Sequence, residues 1–402
     1  MAGVVRHAKL IGLFLCFLAS SPVFAQASRT SAALYEEGSS HLYNLDFTEA
    51  EAAFISLTKS QPNNPDYWNS LATTYWLKIL YGQQKFNMES FSQKDRFGTD
   101  DSKDTGFEAE EKQFRGAIAK AIALADAVLK KDPKNINAHY AKGVSYASLA
   151  SFEATIHRAW VTAARRAKDA KEAHLQVLAL DPNFHDARAA VGVYNYAVGS
   201  LSWTARLLVK MVGLGSGDKP GGVKDVELAA SKGTRAQVDS KMLLVVVYGR
   251  EWQWERASKL LDELHAKYPR NFMFDMTKAS LFGKEKKWDM AAQTYTQMIE
   301  KARAKKDGYE RMRVEKLYAE LANSQFQAQK FSEAAATFDL VTKGANATPN
   351  EKANAHLWIG RMLDTSQKRD DAVAHYKAVL ALDCDPSLKS DARSLMKRPF
   401  GR

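Results

Sequence analysis

Small, aromatic and aliphatic residues return along this chain of 402 residues at helical spacings, not in the strict alternation of a strand. The segment 47–54 reads Phe-Thr-Glu-Ala-Glu-Ala-Ala-Phe, and the segment 331–338 reads Phe-Ser-Glu-Ala-Ala-Ala-Thr-Phe. In both, a ring follows a small residue by four positions, which places the two on one face of an α-helix. A pattern that returns at roughly the length of one helical hairpin predicts a repeat architecture for the whole chain.

Eight units share this frame, and each is predicted to be a helix A followed by an antiparallel helix B. Rings are expected to fill the gaps between successive hairpins, and Pro62, Pro133, Pro182 and Pro269 end helix B in four units. Small residues are expected where helices A and B cross, because a larger side chain would wedge them apart. These are Gly38, Ala50, Ala72, Ala121, Gly143, Ala170, Gly192, Ala257, Ala279, Ala291, Ala322, Ala334, Gly360 and Ala372.

This frame resembles the tetratricopeptide repeat, whose units span about 34 residues. Over residues 28–402 the resemblance implies an all-α, right-handed solenoid of about eight helical hairpins. Longer intervals in units two to four imply inserted loops or helices near 78–114, 153–168 and 200–221. The middle of the chain, with Trp160 and the run Gly-Val-Tyr-Asn-Tyr at 192–196, is similar to exported bacterial tetratricopeptide proteins of unassigned function.

The first 27 residues have the order of a secretory signal peptide. Arg6 and Lys9 precede an apolar run at 10–18, and the small residues within 23–27 provide possible cleavage sites. That run is shorter than the roughly 20 residues that span a membrane. We expect export, to the periplasm or cell envelope of a Gram-negative cell and otherwise to the outside.

Charge indicates the class of partner, and cysteine content indicates how the fold is stabilised. Removal of Arg6 and Lys9 lowers the 57 basic residues to 55, against 46 acidic ones. Because an exported protein rarely meets nucleic acid, this excess favours acidic proteins or anionic lipid over a nucleic-acid partner. Cys384 remains as the one cysteine of the exported chain, so packing alone must stabilise its fold.

Three segments depart from the repeat, and each permits two interpretations. Residues 82–112 form either a flap over a groove or a mobile surface loop. Basic residues along 158–171 recur at helical spacing and form either a solvated stripe or an anion site. The segment 201–212 is amphipathic, with its apolar face at Leu201, Leu207, Leu208, Met211 and Val212. It either packs against neighbouring helices or lies on a membrane surface.

Catalytic and metal-binding patterns are weak. Five glycines at 213–222 follow no predicted strand and lack the Gly-Lys pair of a phosphate-binding loop, which favours a turn. The nine histidines are scattered without metal-ligand spacing. We therefore predict a protein that is not an enzyme and needs no cofactor or metal.

The predicted function is binding of a peptide or protein segment on the concave surface that stacked A helices form. Aromatic and amide groups on a rigid scaffold can hold a segment with little ordering cost on the scaffold's side. The alternative is a peripheral envelope protein that contacts an anionic membrane, and the partner itself is not identified. The predicted groove residues are Asn69, Thr73, Trp76, Tyr140, Tyr196, Asn323 and Arg361.

Overall fold

Eighteen α-helices make up the part of the chain that the computed structural model describes, residues 30–83, 106–211, 213–306 and 308–401. Two single turns of 3₁₀-helix, His185–Ala187 and Tyr309–Arg311, join them, and those ranges contain no strand. The helices are α1 (Ser31–Tyr43), α2 (Phe47–Ser60), α3 (Pro65–Gly82), α4 (Glu108–Lys131), α5 (Ile136–Thr155), α6 (Trp160–Leu180), α7 (Arg188–Gly199), α8 (Trp203–Met211), α9 (Lys219–Lys232), α10 (Gln237–Arg250), α11 (Trp254–Lys267), α12 (Phe272–Lys284), α13 (Trp288–Arg303), α14 (Val314–Gln327), α15 (Phe331–Lys343), α16 (Pro349–Thr365), α17 (Arg369–Ala381) and α18 (Pro386–Lys397).

These helices form eight antiparallel hairpins, which confirms the predicted all-α solenoid. Seven hairpins join consecutive helices, and the fourth pairs α7 with α9 around the inserted α8. The predicted alanines on the B helices are at most 2% exposed, so the helices do cross closely at these positions. They are Ala50, Ala121, Ala170, Ala257, Ala291, Ala334 and Ala372. Helix α18 was not predicted from the repeat pattern. It packs on α16 and α17 and buries Ala392 at the end of the stack.

The turn between helices A and B has one geometry in five hairpins. A residue other than glycine adopts a positive φ of 59–64°, and the next residue's N–H bonds to the carbonyl five positions back. This arrangement ends a helix in a left-handed residue, where glycine is the usual choice. The five left-handed residues are Leu45, Trp252, Lys286, Gln329 and Gln367.

The three predicted insertions differ in kind. Between α3 and α4, residues 84–105 lie outside the described residues. They include most of the segment 82–112 that was interpreted as a flap or a surface loop. Near 153–168 there is no separate element, because the extra residues lengthen α5 and α6 around the turn 156–159. Near 200–221 the insertion is α8 with its linker to α9. Val212 and the side chains of Leu208 and Met211 lie outside the described residues.

The solenoid curls far enough for its first hairpin to contact the region around the sixth. Asp46, 3% exposed, accepts a hydrogen bond of 2.9 Å from Arg270 and a second one from Arg311. The Tyr43 ring lies 5.0 Å from the Tyr268 ring. We call this set of residues the closure contact. Among the helices within the described ranges, none combines the length and the apolar composition that a membrane crossing requires.

Candidate binding groove

A cavity of about 750 Å³ lies between helices α10, α12 and α14, the A helices of the fifth to seventh hairpins. We call it the A-helix groove. One end of it is formed by Tyr81 and Gly82 at the end of α3, and the Tyr81 ring lies 6.3 Å from the Phe272 ring on α12. The groove is therefore bounded partly by the N-terminal hairpins, and it exists because the solenoid curls.

Apolar and flexible side chains form the floor of the groove. Met273 is 9% exposed and Leu317 is 1% exposed, whereas Met276 and Trp288 are half-buried and present more of their surface to the cavity. Methionine is unbranched and polarisable, so it adapts to partners of different shape. Burial of apolar side chains from a partner on this floor would supply the main favourable term in binding.

Basic residues dominate the rim of the groove. Lys284 and Lys316 are exposed at the rim, Arg311 and Arg313 lie between them, and Glu320 is the acidic residue of the lining. The two arginines also bond to carboxylates, Arg311 to that of the closure contact and Arg313 to that of a residue on α16. The rim therefore has a positive excess that favours an acidic partner.

A buried network holds the rim turn in place. Tyr309, 2% exposed, donates a hydrogen bond of 2.5 Å to Asp275, and Lys301 donates one of 2.9 Å to the same carboxylate. Burial and then the hydrogen bond to Asp275 raise the pKa of Tyr309 well above its usual range, so the phenol keeps its proton. The residues 311–313 that follow are thereby fixed at the edge of the groove.

Asn323 is the predicted site residue that lines the A-helix groove. It is exposed on α14, near Ser324 and Gln327 in the lining. Arg361, one hairpin further along, lies on α16 with its guanidinium 4.7 Å from the Trp358 ring and 3.6 Å from Asp391. Arg361 does not line the A-helix groove.

The other five predicted residues lie in the second to fourth hairpins, where they pack between helices. Asn69 is 3% exposed and donates to the Ala141 carbonyl at 2.9 Å. The Thr73 hydroxyl donates to the Asn69 carbonyl at 3.0 Å, and the indole of Trp76 donates to Thr155 at 3.0 Å.

The remaining two are buried tyrosines. Tyr140, 5% exposed, lies 4.4 Å below the guanidinium of Arg235, and Tyr196, 6% exposed, donates to Glu251 at 2.8 Å. Each of the five N-terminal predictions thus has a structural contact, and partner binding by any of them stays a prediction.

The glycine-rich segment 213–222 has a packing role. A Cβ at Gly222 would lie 2.5 Å from the carbonyl oxygen of Gly192, so α7 and α9 approach backbone to backbone there. Within the described residues, no group of three or more His, Cys, Asp or Glu side chains is placed to hold a metal ion. The groove floor was not predictable from the sequence, because its residues follow the ordinary apolar pattern of helices A and B.

The family model for the tetratricopeptide repeat matches residues 35–78 and 319–388, that is, the first hairpin into α3 and the last two hairpins. No curated protein matches the sequence significantly.

Several solved structures are similar at low identity. A tetratricopeptide repeat protein from Parabacteroides merdae is 12% identical, with 91% of this chain and 97% of that chain covered and a TM-score of 0.27. Yeast Tom70 is 13% identical, with 91% and 88% covered and a TM-score of 0.34. PilF of Pseudomonas aeruginosa is 16% identical, with 63% and 96% covered and a TM-score of 0.36.

The family match covers the first and last hairpins. In both hairpins a glycine of helix A, Gly38 or Gly360, lies against a ring of helix B. This fold is generally a scaffold for protein–protein interaction. The chain carries tetratricopeptide repeats at residues 35–78 and 319–388, within an all-α solenoid of helical hairpins.

Proposed function

We propose that this protein is a non-enzymatic scaffold that holds a segment of another protein in the A-helix groove. The observation that carries the proposal is the cavity of about 750 Å³ with an apolar floor and a basic rim. A floor of Met276, Trp288 and Leu317 fits apolar anchors, and exposed Lys284 and Lys316 fit acidic residues beside them. The segment that fits best is therefore amphipathic, with apolar and acidic side chains.

The location is part of the same proposal. The signal-like order of residues 1–27 supports export to the periplasm or the cell envelope, or secretion from a cell without those compartments. In such a compartment the partner is a protein, and nucleic acid is not the ligand. N-terminal sequencing of the protein recovered from the cell envelope fraction tests this location, and an intact N-terminus on a cytosolic protein would refute it.

Site-specific crosslinking tests the groove. A photoreactive benzoylphenylalanine replaces Asn323, which is exposed in the groove, and the protein is irradiated inside the cell that produces it. The matched control replaces Gln297, a polar and exposed residue of helix α13 that is not part of the lining. We expect a discrete crosslinked protein with the first probe and none of it with the second.

The crosslinked segment is then made as a peptide, and its affinity is measured by fluorescence anisotropy. Ser280→Trp fills the groove and is expected to weaken binding roughly tenfold or more, because it occupies the volume that the anchors need. Gln297→Trp should leave the affinity unchanged. Equal crosslinking from both positions, or peptide binding that Ser280→Trp does not weaken, would refute binding in the groove.

A further inference from the structure

Helix α8 exposes large apolar side chains. Trp203 is 73% exposed and Leu207 is 54% exposed, and the helix packs mainly against α7. None of the side chains described on α8 is buried. The alternative in which this inserted helix packs against several neighbours therefore does not account for these two residues.

The start of α6 also exposes apolar side chains, and the linker that follows α8 lies beside this helix. Trp160 is 47% exposed and Val161 is 60% exposed. A pocket of about 370 Å³ lies between α6 and the linker that follows α8. It is lined by Thr162, Arg165, Arg166, Lys168, Asp169, Gly213 and Leu214. The Tyr194 hydroxyl on α7 donates to the Leu214 carbonyl and so fixes this linker beside α6.

Basic residues accompany the apolar ones. The segment 158–172 carries five bases against two acids, with Lys168 3.5 Å from Glu172, and the segment 201–212 carries two bases and no acid. Arg166 lies 3.4 Å from Asp169 at the pocket, whereas no carboxylate within the described part of the chain pairs with Arg165. A surface that combines exposed indoles with a positive excess is complementary to an anionic, partly apolar layer.

We propose that this surface docks on a membrane of anionic phospholipid. The lipid-facing surface consists of Trp160, Val161, Arg165, Arg166, Trp203, Arg206, Leu207 and Lys210. Indoles prefer the interface between head groups and acyl chains, and basic side chains are attracted to anionic head groups. A bilayer accepts apolar side chains at any lateral spacing, which suits two tryptophans on different helices. This activity is separate from the groove and would place the scaffold at the envelope surface.

Vesicle co-sedimentation tests the proposal. The full-length gene is expressed, and the N-terminus of the purified protein is read by mass spectrometry, so that an uncleaved leader is recognised. Vesicles of phosphatidylcholine alone are compared with vesicles that also contain phosphatidylglycerol. We expect binding to the second kind, with a loss of roughly tenfold or more in Trp203→Ser/Leu207→Ser and in Arg165→Ser/Arg166→Ser.

The matched control is Trp252→Ser, since Trp252 is 74% exposed on the turn between α10 and α11. It should bind the anionic vesicles like the unchanged protein. Circular dichroism and thermal unfolding confirm that the variants are folded, as expected for exposed positions. Failure of the unchanged protein to bind anionic vesicles would overturn the proposal, and so would an equal loss in Trp252→Ser.

The groove and the lipid-facing surface are tested independently. Ser280→Trp, which fills the A-helix groove, is expected to bind anionic vesicles normally. Trp203→Ser/Leu207→Ser is expected to bind the groove peptide normally. If Ser280→Trp also lost binding to anionic vesicles, the contact with lipid would not be made through α8, and the proposal would fail.

Discussion

Gly360 on α16 lies directly against the ring of Tyr376 on α17, and a Cβ added to it would be 2.4 Å from Cε1 of that ring. The same relationship joins Gly143 to His174 at 2.3 Å and Gly38 to Phe54 at 3.1 Å. In these hairpins the small residue of helix A is required because a ring of helix B occupies the space beside it.

Gly360→Ala is expected to lower the free energy of unfolding by about 1–3 kcal/mol. The Tyr376 ring is fully buried, so the added methyl group must displace a side chain that has little room to move. Urea denaturation followed by circular dichroism measures the change.

Gly116→Ala is the matched control for this substitution. Gly116 is exposed in the interior of α4, and a Cβ there would have no neighbour within 4 Å. Alanine favours a helix over glycine by roughly 1 kcal/mol, so this variant should be more stable than the unchanged protein. If both glycines responded alike, the ring would not be the cause.

Asp46→Ala is expected to loosen the closure contact. The carboxylate is buried, and its loss leaves Arg270 and Arg311 without their shared acceptor. Both arginines retain some exposure and can turn to water, so we expect a loss of about 2 kcal/mol, which is less than for a fully buried pair. Small-angle X-ray scattering should also show a larger radius of gyration, because the first hairpin is released from the sixth.

Asp126→Asn is the control for the closure contact. Asp126 pairs with Lys142 at 2.6 Å on the surface, where ion pairs contribute little. It should change neither the radius of gyration nor the stability measurably. A radius that stays constant in Asp46→Ala would show that the curl of the solenoid does not depend on this carboxylate.

The local spacing of residues was sufficient to predict the hairpins, and the distant contacts were not predictable from it. Ala257 and Ala334 are buried as predicted because each one meets its own hairpin partner, a few turns away in sequence. Arg270 and Asp46 are 224 positions apart, and their meeting depends on the curvature accumulated over five hairpins. The turn at Gln329 was also not predictable, since a left-handed residue other than glycine has no sequence signal.

In the candidate site, too, the face of a helix was predictable from local spacing, and its contacts with other hairpins were not. The periodicity of α14 indicates which of its faces points inward, and Asn323 does line the groove. The same periodicity placed Asn69 inward, but there the neighbouring α5 meets that face and the amide bonds to it. Whether an inward residue faces a cavity or another helix is decided by packing between hairpins.

Asn69→Ala is expected to lower the free energy of unfolding by about 2 kcal/mol. It would leave the Ala141 carbonyl and the Ser145 hydroxyl without one of their partners, and Ser145 is fully buried. Chemical denaturation of Asn69→Ala, Ser145→Ala and the double variant measures the coupling between the two side chains. We expect a coupling of about 1 kcal/mol, because the two share a hydrogen bond.

A different result would support Asn69 as a binding residue. If Asn69→Ala left stability unchanged and weakened binding of the groove peptide, the amide would act on the partner. The control is Thr73→Val, which removes one hydroxyl bonded within its own helix and should cost less than Asn69→Ala.

His174→Phe is expected to remove part of the acid sensitivity of the protein. Burial lowers the pKa of His174 to about 4, against a usual value near 6.5, although its hydrogen bond to the Ala170 carbonyl opposes the shift. Between about pH 6.5 and pH 4 this histidine is therefore protonated in the unfolded chain and neutral in the folded chain. The stability that the neutral ring contributes is present above pH 6.5 and is lost as the pH falls through this window, by up to about 3 kcal/mol.

Denaturation at a series of pH values from 7.5 to 4.5 checks this expectation. Other histidines with lowered pKa, such as His356 and His375, contribute equally to both proteins, so the difference between the two curves isolates His174. Phenylalanine keeps a ring beside Gly143 and has no proton to gain. The variant should therefore gain stability over the unchanged protein as the pH falls. Parallel curves would mean that His174 gains its proton in the folded state as readily as in the unfolded one.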